Sequence, residues 1–177
     1  MANQHINSYV QYDPSNAKKY RFNYNNNETS ELHRITNKNP SIDMHDLRRI
    51  SLWKLNRVLD VSDDTIKDLQ NLASLKTVEV DSDIAKNILN KLVSSRGIGF
   101  PMASAILKFT RPDIFPIIDV RAYRALTGKK IYYSQYTIDL YIKYVEQLKI
   151  YANKLNIPLS EMDEQLYEFD KEHNRKI

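Results

Sequence analysis

Glycine occurs only three times in the 177 residues, and two of the three stand at Gly97 and Gly99. A chain this sparing with glycine spends it where a side chain would obstruct, either at positive φ or where another group must come close to the main chain. Helical patterns flank the pair. Asp81-Ser82-Asp83 opens one helix with Ala85, Ile88, Leu89 and Leu92 at the spacing of a buried stripe, and that pattern stops at the glycines. Phe100-Pro101 opens the next, because proline is tolerated in a first turn whose amides have no intrahelical acceptor. This second pattern runs to about Thr110, ahead of Arg111-Pro112.

The rest of the chain follows the same logic. From Asp43 onward, Met44, Leu47, Ile50, Leu55, Val58 and Leu59 make the apolar side of a helix reaching about residue 60. Ser62-Asp63-Asp64 caps a helix to about Leu75, with Ile66, Leu69, Leu72 and Ala73 inward. Asp119 starts a short helix through Leu126 that Gly128 ends, Ser134 caps a long one to about Asn156, and Ser160-Glu161-Met162-Asp163 starts a last one after Pro158. Thr77 to Val80 and Ile131 to Tyr133 are at most short extended pieces. Residues 1–30 are polar and lack periodicity; they read as an irregular Tyr/Asn-rich arm with a short helix around 15–22, packed through Tyr9, Tyr12, Tyr20 and Phe22. The expected fold class is all-α, with one helical domain over 31–177 behind that arm.

Composition narrows the function classes. At 42% hydrophobic and 27% charged residues the chain is of ordinary globular type, and it has no apolar run long enough to cross a bilayer. The absence of cysteine excludes disulfides, thiolate metal sites and an iron–sulfur cluster. His5, His33, His45 and His173 are scattered without ligand spacing, and no phosphate-binding or dinucleotide-binding fingerprint occurs. Without an apolar signal-like core at Met1 to His5, the expectation is a soluble cytoplasmic protein of bacterial-type cytosol or nucleoid. A net charge of +4 permits a nucleic-acid partner without demanding one.

The glycine turn sharpens that. Exposed amides at a helix N-terminus, reinforced by the helix dipole, suit a phosphate, and missing side chains let a DNA backbone approach. A plain helix C-cap would need only one of the two glycines. Twenty residues after Gly99 comes a lone acid, Asp119, in Phe115-Pro116-Ile117-Ile118-Asp119, followed by Tyr123-Arg124-Ala125-Leu126. Arg96-Gly97-Ile98-Gly99-Phe100-Pro101-Met102-Ala103 together with this segment resembles the helix–hairpin–helix DNA glycosylase superfamily (HhH-GPD), especially its monofunctional alkylated-base branch. The resemblance covers about 82–127.

It implies duplex DNA as partner, bound through phosphate contacts and a flipped base, with no membrane. The implied reaction is hydrolysis of an N-glycosidic bond with Asp119 as catalytic carboxylate, as in base excision repair. Arg96, Gly97, Ile98, Gly99, Phe100 and Met102 are the implied DNA-binding hairpin, with Arg121 and Arg124 flanking the site. No cofactor is required; the resemblance adds only a monovalent cation on hairpin carbonyls when DNA is bound. Bifunctional members carry a Schiff-base lysine two residues after the second hairpin glycine, where this chain has Pro101, and Lys108 lies too far along the helix to replace it. Trp53 is a base-pocket candidate, although between Leu52 and Leu55 it reads first as core. Asp119 is equally suited to a helix N-cap, and Arg124 to an internal salt bridge. A non-catalytic DNA-binding module and a helical interaction scaffold therefore stand beside the enzyme. The identity of the target base lies beyond these motifs.

Overall fold

The computed structural model describes residues 26–174, which form eight α-helices and one 3₁₀ turn, with no strand among the described residues. They fall into two compact units divided between Trp53 and Lys54.

The first unit holds α1 (Asn26–Thr36) and most of α2 (Met44–Lys54). Asp43 and Asp46 cap α2 reciprocally, each accepting the other's backbone amide at 3.0 and 3.2 Å. Arg49 joins α2 to α1 through a two-pronged contact with Glu28 at 3.0 and 2.8 Å, and the Trp53 indole donates to Thr29 Oγ1 at 2.8 Å. The arm expected over residues 1–30, with its short helix at 15–22 and its packing tyrosines, lies almost wholly outside the described residues. Asn26 to Ser30 already belong to α1. The helix expected to reach residue 60 stops at Lys54, because Asn56 adopts φ 54°, a left-handed conformation that cannot continue it.

The second unit contains α3 (Asp63–Ser74), α4 (Asp83–Ser94), α5 (Phe100–Thr110), α6 (Val120–Thr127), α7 (Ile138–Leu155) and α8 (Leu159–His173). Ser62 and Ser82 cap α3 and α4, each accepting a third-residue amide at 3.3 Å. Leu72, Ile88, Leu92, Leu107, Phe115 and Leu148 centre the core. On α3 Leu72 is buried and Leu69 packs against the core as expected, but Ile66 and Ala73 are exposed, and Thr65 takes the buried place in the first turn. Arg111 stitches α3 to the end of α5 by donating to the Leu72 and Leu75 carbonyls at 3.2 and 2.7 Å, at the helix end where intrahelical donors run out. The long helix begins later than Ser134. Tyr133–Gln135 form the 3₁₀ turn, Tyr136 is extended, and Thr137 caps α7 by accepting the Leu140 amide at 3.1 Å.

Candidate functional site

The segment leading to Asp119 is extended but belongs to no sheet, so its backbone polar groups need other partners. Buried side chains supply them. Tyr141 and Tyr144 of α7 donate to the carbonyls of Pro116 and Ile117 at 2.8 and 2.9 Å. The Ile117 amide donates to Asp163 of α8 at 3.0 Å, and the Ile118 amide to Ser104 Oγ of α5 at 3.1 Å. Three helices thus fix the chain that delivers Asp119. Asp119 is the N-cap of α6: its Oδ1 accepts the Ala122 amide at 2.7 Å, and Gly128 at φ 70° closes the same helix. No hydrogen bond engages Oδ2 among the described residues.

Asp119 also lines a 370 Å³ pocket with Ile117, Ala122, Asp163, Glu164, Tyr167 and Glu168. Four carboxylates, Asp119, Asp163, Glu164 and Glu168, line the pocket, and three of them are paired with lysines. Lys108, nearly buried, donates to both oxygens of Asp163 at 2.8 and 2.9 Å and to Glu164 at 2.7 Å. Burial opposes the charge on Lys108, but Asp163 and Glu164 outweigh it and hold its pKa above the ordinary lysine value. Tyr167 stands between two cations, with the Arg121 guanidinium 5.6 Å and the Lys171 ammonium 5.5 Å from its ring centre.

In the turn between α4 and α5, Gly97 has φ 82° and Ile98 is buried. A Cβ on Gly97 would sit 2.4 Å from the Val58 carbonyl oxygen, because the Asp60 amide donates to the Arg96 carbonyl at 3.1 Å and draws residues 58–60 against the turn. A Cβ on Gly99 would meet the Tyr133 ring at 3.2 Å. The chain's own packing therefore accounts for both glycines, and on their Cβ sides the close neighbour is protein. Gly99 caps α5 with no side-chain hydrogen bond, and Pro101 leaves that first turn one amide short. Phe100 is buried, stacked on Tyr136 at 5.7 Å, while Arg96 and Met102 are exposed. Gly97→Ala is expected to lose at least about 2 kcal/mol from combined φ strain and clash. Gly99→Ala should stay within about 1 kcal/mol, since an exposed ring can yield. Urea melts of the two variants check the contrast.

The other candidates are placed as follows. Arg121 and Arg124 converge on Asp170, which is fully buried: Arg124 contacts it at 2.7 Å through both Nε and a terminal nitrogen, and Arg121 at 3.0 Å. Both guanidiniums thus join α6 to α8, the salt-bridge alternative raised for Arg124. Trp53, in the first unit, lines a 160 Å³ pocket with Thr29, Leu32, His33, Thr36 and Ile50.

Tyr136 carries a signal that spacing did not reveal. Its hydroxyl is buried without a hydrogen-bond partner, and burial, then the charges of Asp119 and Tyr123, push its pKa up to about 12. One tyrosine thus touches the α5 end of the turn through Phe100 and feels Asp119 electrostatically. Since an orphaned buried hydroxyl costs about 1–3 kcal/mol, Tyr136→Phe is expected to hold or raise the melting temperature. Asp163, Asp170, Ser104, Tyr141 and Tyr144 are the other positioning residues that motif reading missed.

No family model, no curated protein and no solved structure matches this chain.

Proposed function

We propose that this protein is a monofunctional DNA N-glycosylase of the helix–hairpin–helix kind, removing a damaged or modified base from duplex DNA. Asp119 carries the proposal: a carboxylate with one oxygen fixed by its helix cap, delivered by a clamped segment to the wall of a pocket. As the N-glycosidic bond breaks, its electron pair leaves with the base and positive charge develops on the deoxyribose. The Asp119 carboxylate stabilises that charge and takes a proton from water as the water oxygen bonds to C1′; a base that is cationic before cleavage leaves neutral with the bond's electron pair, so the proton passes on to solvent. The carboxylates lining the pocket favour a cationic leaving base, which the resemblance to the alkylated-base branch also implies.

No lysine competes with water as nucleophile at the hairpin. Pro101 occupies the Schiff-base position, and Lys108 is held by Asp163 and Glu164. The α5 N-terminus, where no side chain caps the first turn and the helix dipole adds positive potential, takes a backbone phosphate on the amides that turn retains. In the turn, the carbonyls of Ser95, Arg96 and Gly99 each accept one amide and keep a second lone pair, and a monovalent cation there when DNA is bound stays what the resemblance implies; no step above needs one.

A second reading, a non-catalytic DNA-binding module, is favoured by one observation: capping α6 is by itself a sufficient role for Asp119. Incubation with duplexes carrying alkylated, deaminated or otherwise modified bases, followed by alkali, separates the two. The enzyme leaves abasic sites that break only after alkali, and free base appears in the supernatant. Binding without release of any base across the panel selects the module instead, and strand breaks without alkali would contradict the monofunctional chemistry.

A further inference from the structure

The loop after α6 is built as a display. Gly128 turns the chain at φ 70°, and Thr127 Oγ1 donates to the Tyr123 carbonyl at 2.8 Å while accepting the Lys129 amide at 3.2 Å. Ile131 is 2% exposed and anchors the loop in the unit. The Tyr132 amide donates to the Gln135 side chain at 2.8 Å while the Gln135 amide returns to the Tyr132 carbonyl at 2.9 Å. On this fixed backbone four adjacent side chains face solvent. Lys129 and Lys130 are exposed and make no ion pair among the described residues. Tyr132 and Tyr133 are 61% and 75% exposed, although tyrosine normally buries most of its ring. Lys130 lies 5.7 Å from the Tyr132 ring centre, and the Tyr133 ring lies over Gly99, so the display adjoins the α4–α5 turn.

Single exposed tyrosines or lysines need no explanation. Two cations and two aromatic faces, held beside a helix N-terminus by a loop with its own hydrogen bonds, combine the two chemistries that grip a nucleic-acid strand: ammonium on phosphate, ring on base. The arginines of α6 are committed to Asp170, and the Asp119 pocket is lined with carboxylates that repel a phosphate.

We propose that Lys129, Lys130, Tyr132 and Tyr133 form a second DNA-contacting surface, with the lysines on phosphates neighbouring the one at the α5 N-terminus and the tyrosines stacked on bases unpaired by the distortion of the duplex. This rests on the glycosylase reading and extends it by assigning the strand grip to a loop outside the hairpin.

The test is equilibrium binding of a fluorescent duplex containing a tetrahydrofuran abasic-site analogue, over a range of KCl, to the full chain and to two variants. Lys129→Ala/Lys130→Ala should reduce the slope of log K against log[salt] by about 1.8, two phosphate contacts' worth. Tyr132→Ala/Tyr133→Ala should weaken binding by about 30-fold or more with the slope retained, and Tyr132→Phe/Tyr133→Phe should restore it. Melting temperatures should stay at the wild-type value, because all four side chains are exposed. If the wild type binds and both alanine variants match it in slope and affinity, the loop assignment is overturned while the glycosylase reading stands. If the wild type binds no duplex, both fall.

Discussion

Asp119→Asn is expected to lower base release by about 10²- to 10⁴-fold, the usual range for removing a positioned charge or proton acceptor from a reacting centre. The substitution isolates chemistry from folding. Asparagine keeps a side-chain oxygen able to accept the Ala122 amide, and it caps helices about as well as aspartate, so α6 should keep its start. The clamp formed by Tyr141, Tyr144, Ser104 and Asp163 acts on residues 116–118 and is untouched. What disappears is the negative charge that would face the sugar and the group that would accept a proton from water. Single-turnover excision gives the rate, and duplex binding by the same preparation should be unchanged. A variant that excises normally would return Asp119 to the role of a cap.

The second large effect falls on stability. Asp170→Ala is expected to cost about 3–5 kcal/mol, because it strands two half-buried guanidiniums that share one carboxylate. That carboxylate also ties α6, and with it the Asp119 cap, to α8, so excision should fall along with the melting temperature. The Arg124 guanidinium, with Asn174 and Arg121 adding to it, holds the Asp170 pKa down to about 2. A depressed folded-state pKa stabilises fully above the unfolded carboxyl value near ~4 and is lost as pH falls towards the folded value. Wild-type stability should therefore drop between about pH 4 and pH 2 through this group. Asp170→Asn should flatten that part of the profile in urea melts across pH, and an unaltered profile would show that the pair contributes nothing in acid.

Local chemistry made much of this fold legible. Ser62, Ser82 and Asp119 cap the helices they precede in sequence, and Gly128 ends α6 at positive φ. The apolar spacing of Ala85, Ile88, Leu89 and Leu92 is the buried face of α4. What local pattern left open was decided by distant contacts. Gly97 stood out by its rarity, but its near neighbour is the Val58 carbonyl, brought there by a backbone hydrogen bond that no local pattern encodes. Arg121 and Arg124 sit where flanking phosphate contacts were expected, yet their partner lies on α8, more than forty residues on. A signal for it existed. Asp163 and Asp170 fall in the same helical stripe as Met162 and Leu166, and an acid in a buried stripe demands a cation or an amide. Tyr136 gave no such hint, because only coordinates show that its hydroxyl lacks a partner.

A crystal structure of the wild-type protein with a duplex carrying an abasic-site analogue bears most directly on the central claim. The account predicts the analogue's sugar within about 4 Å of the Asp119 carboxylate, the range at which an unscreened charge pair is strong, with a neighbouring phosphate on the amides that open α5. A duplex seated away from α5 and α6, or a sugar that leaves Asp119 touching nothing but Ala122, would contradict it.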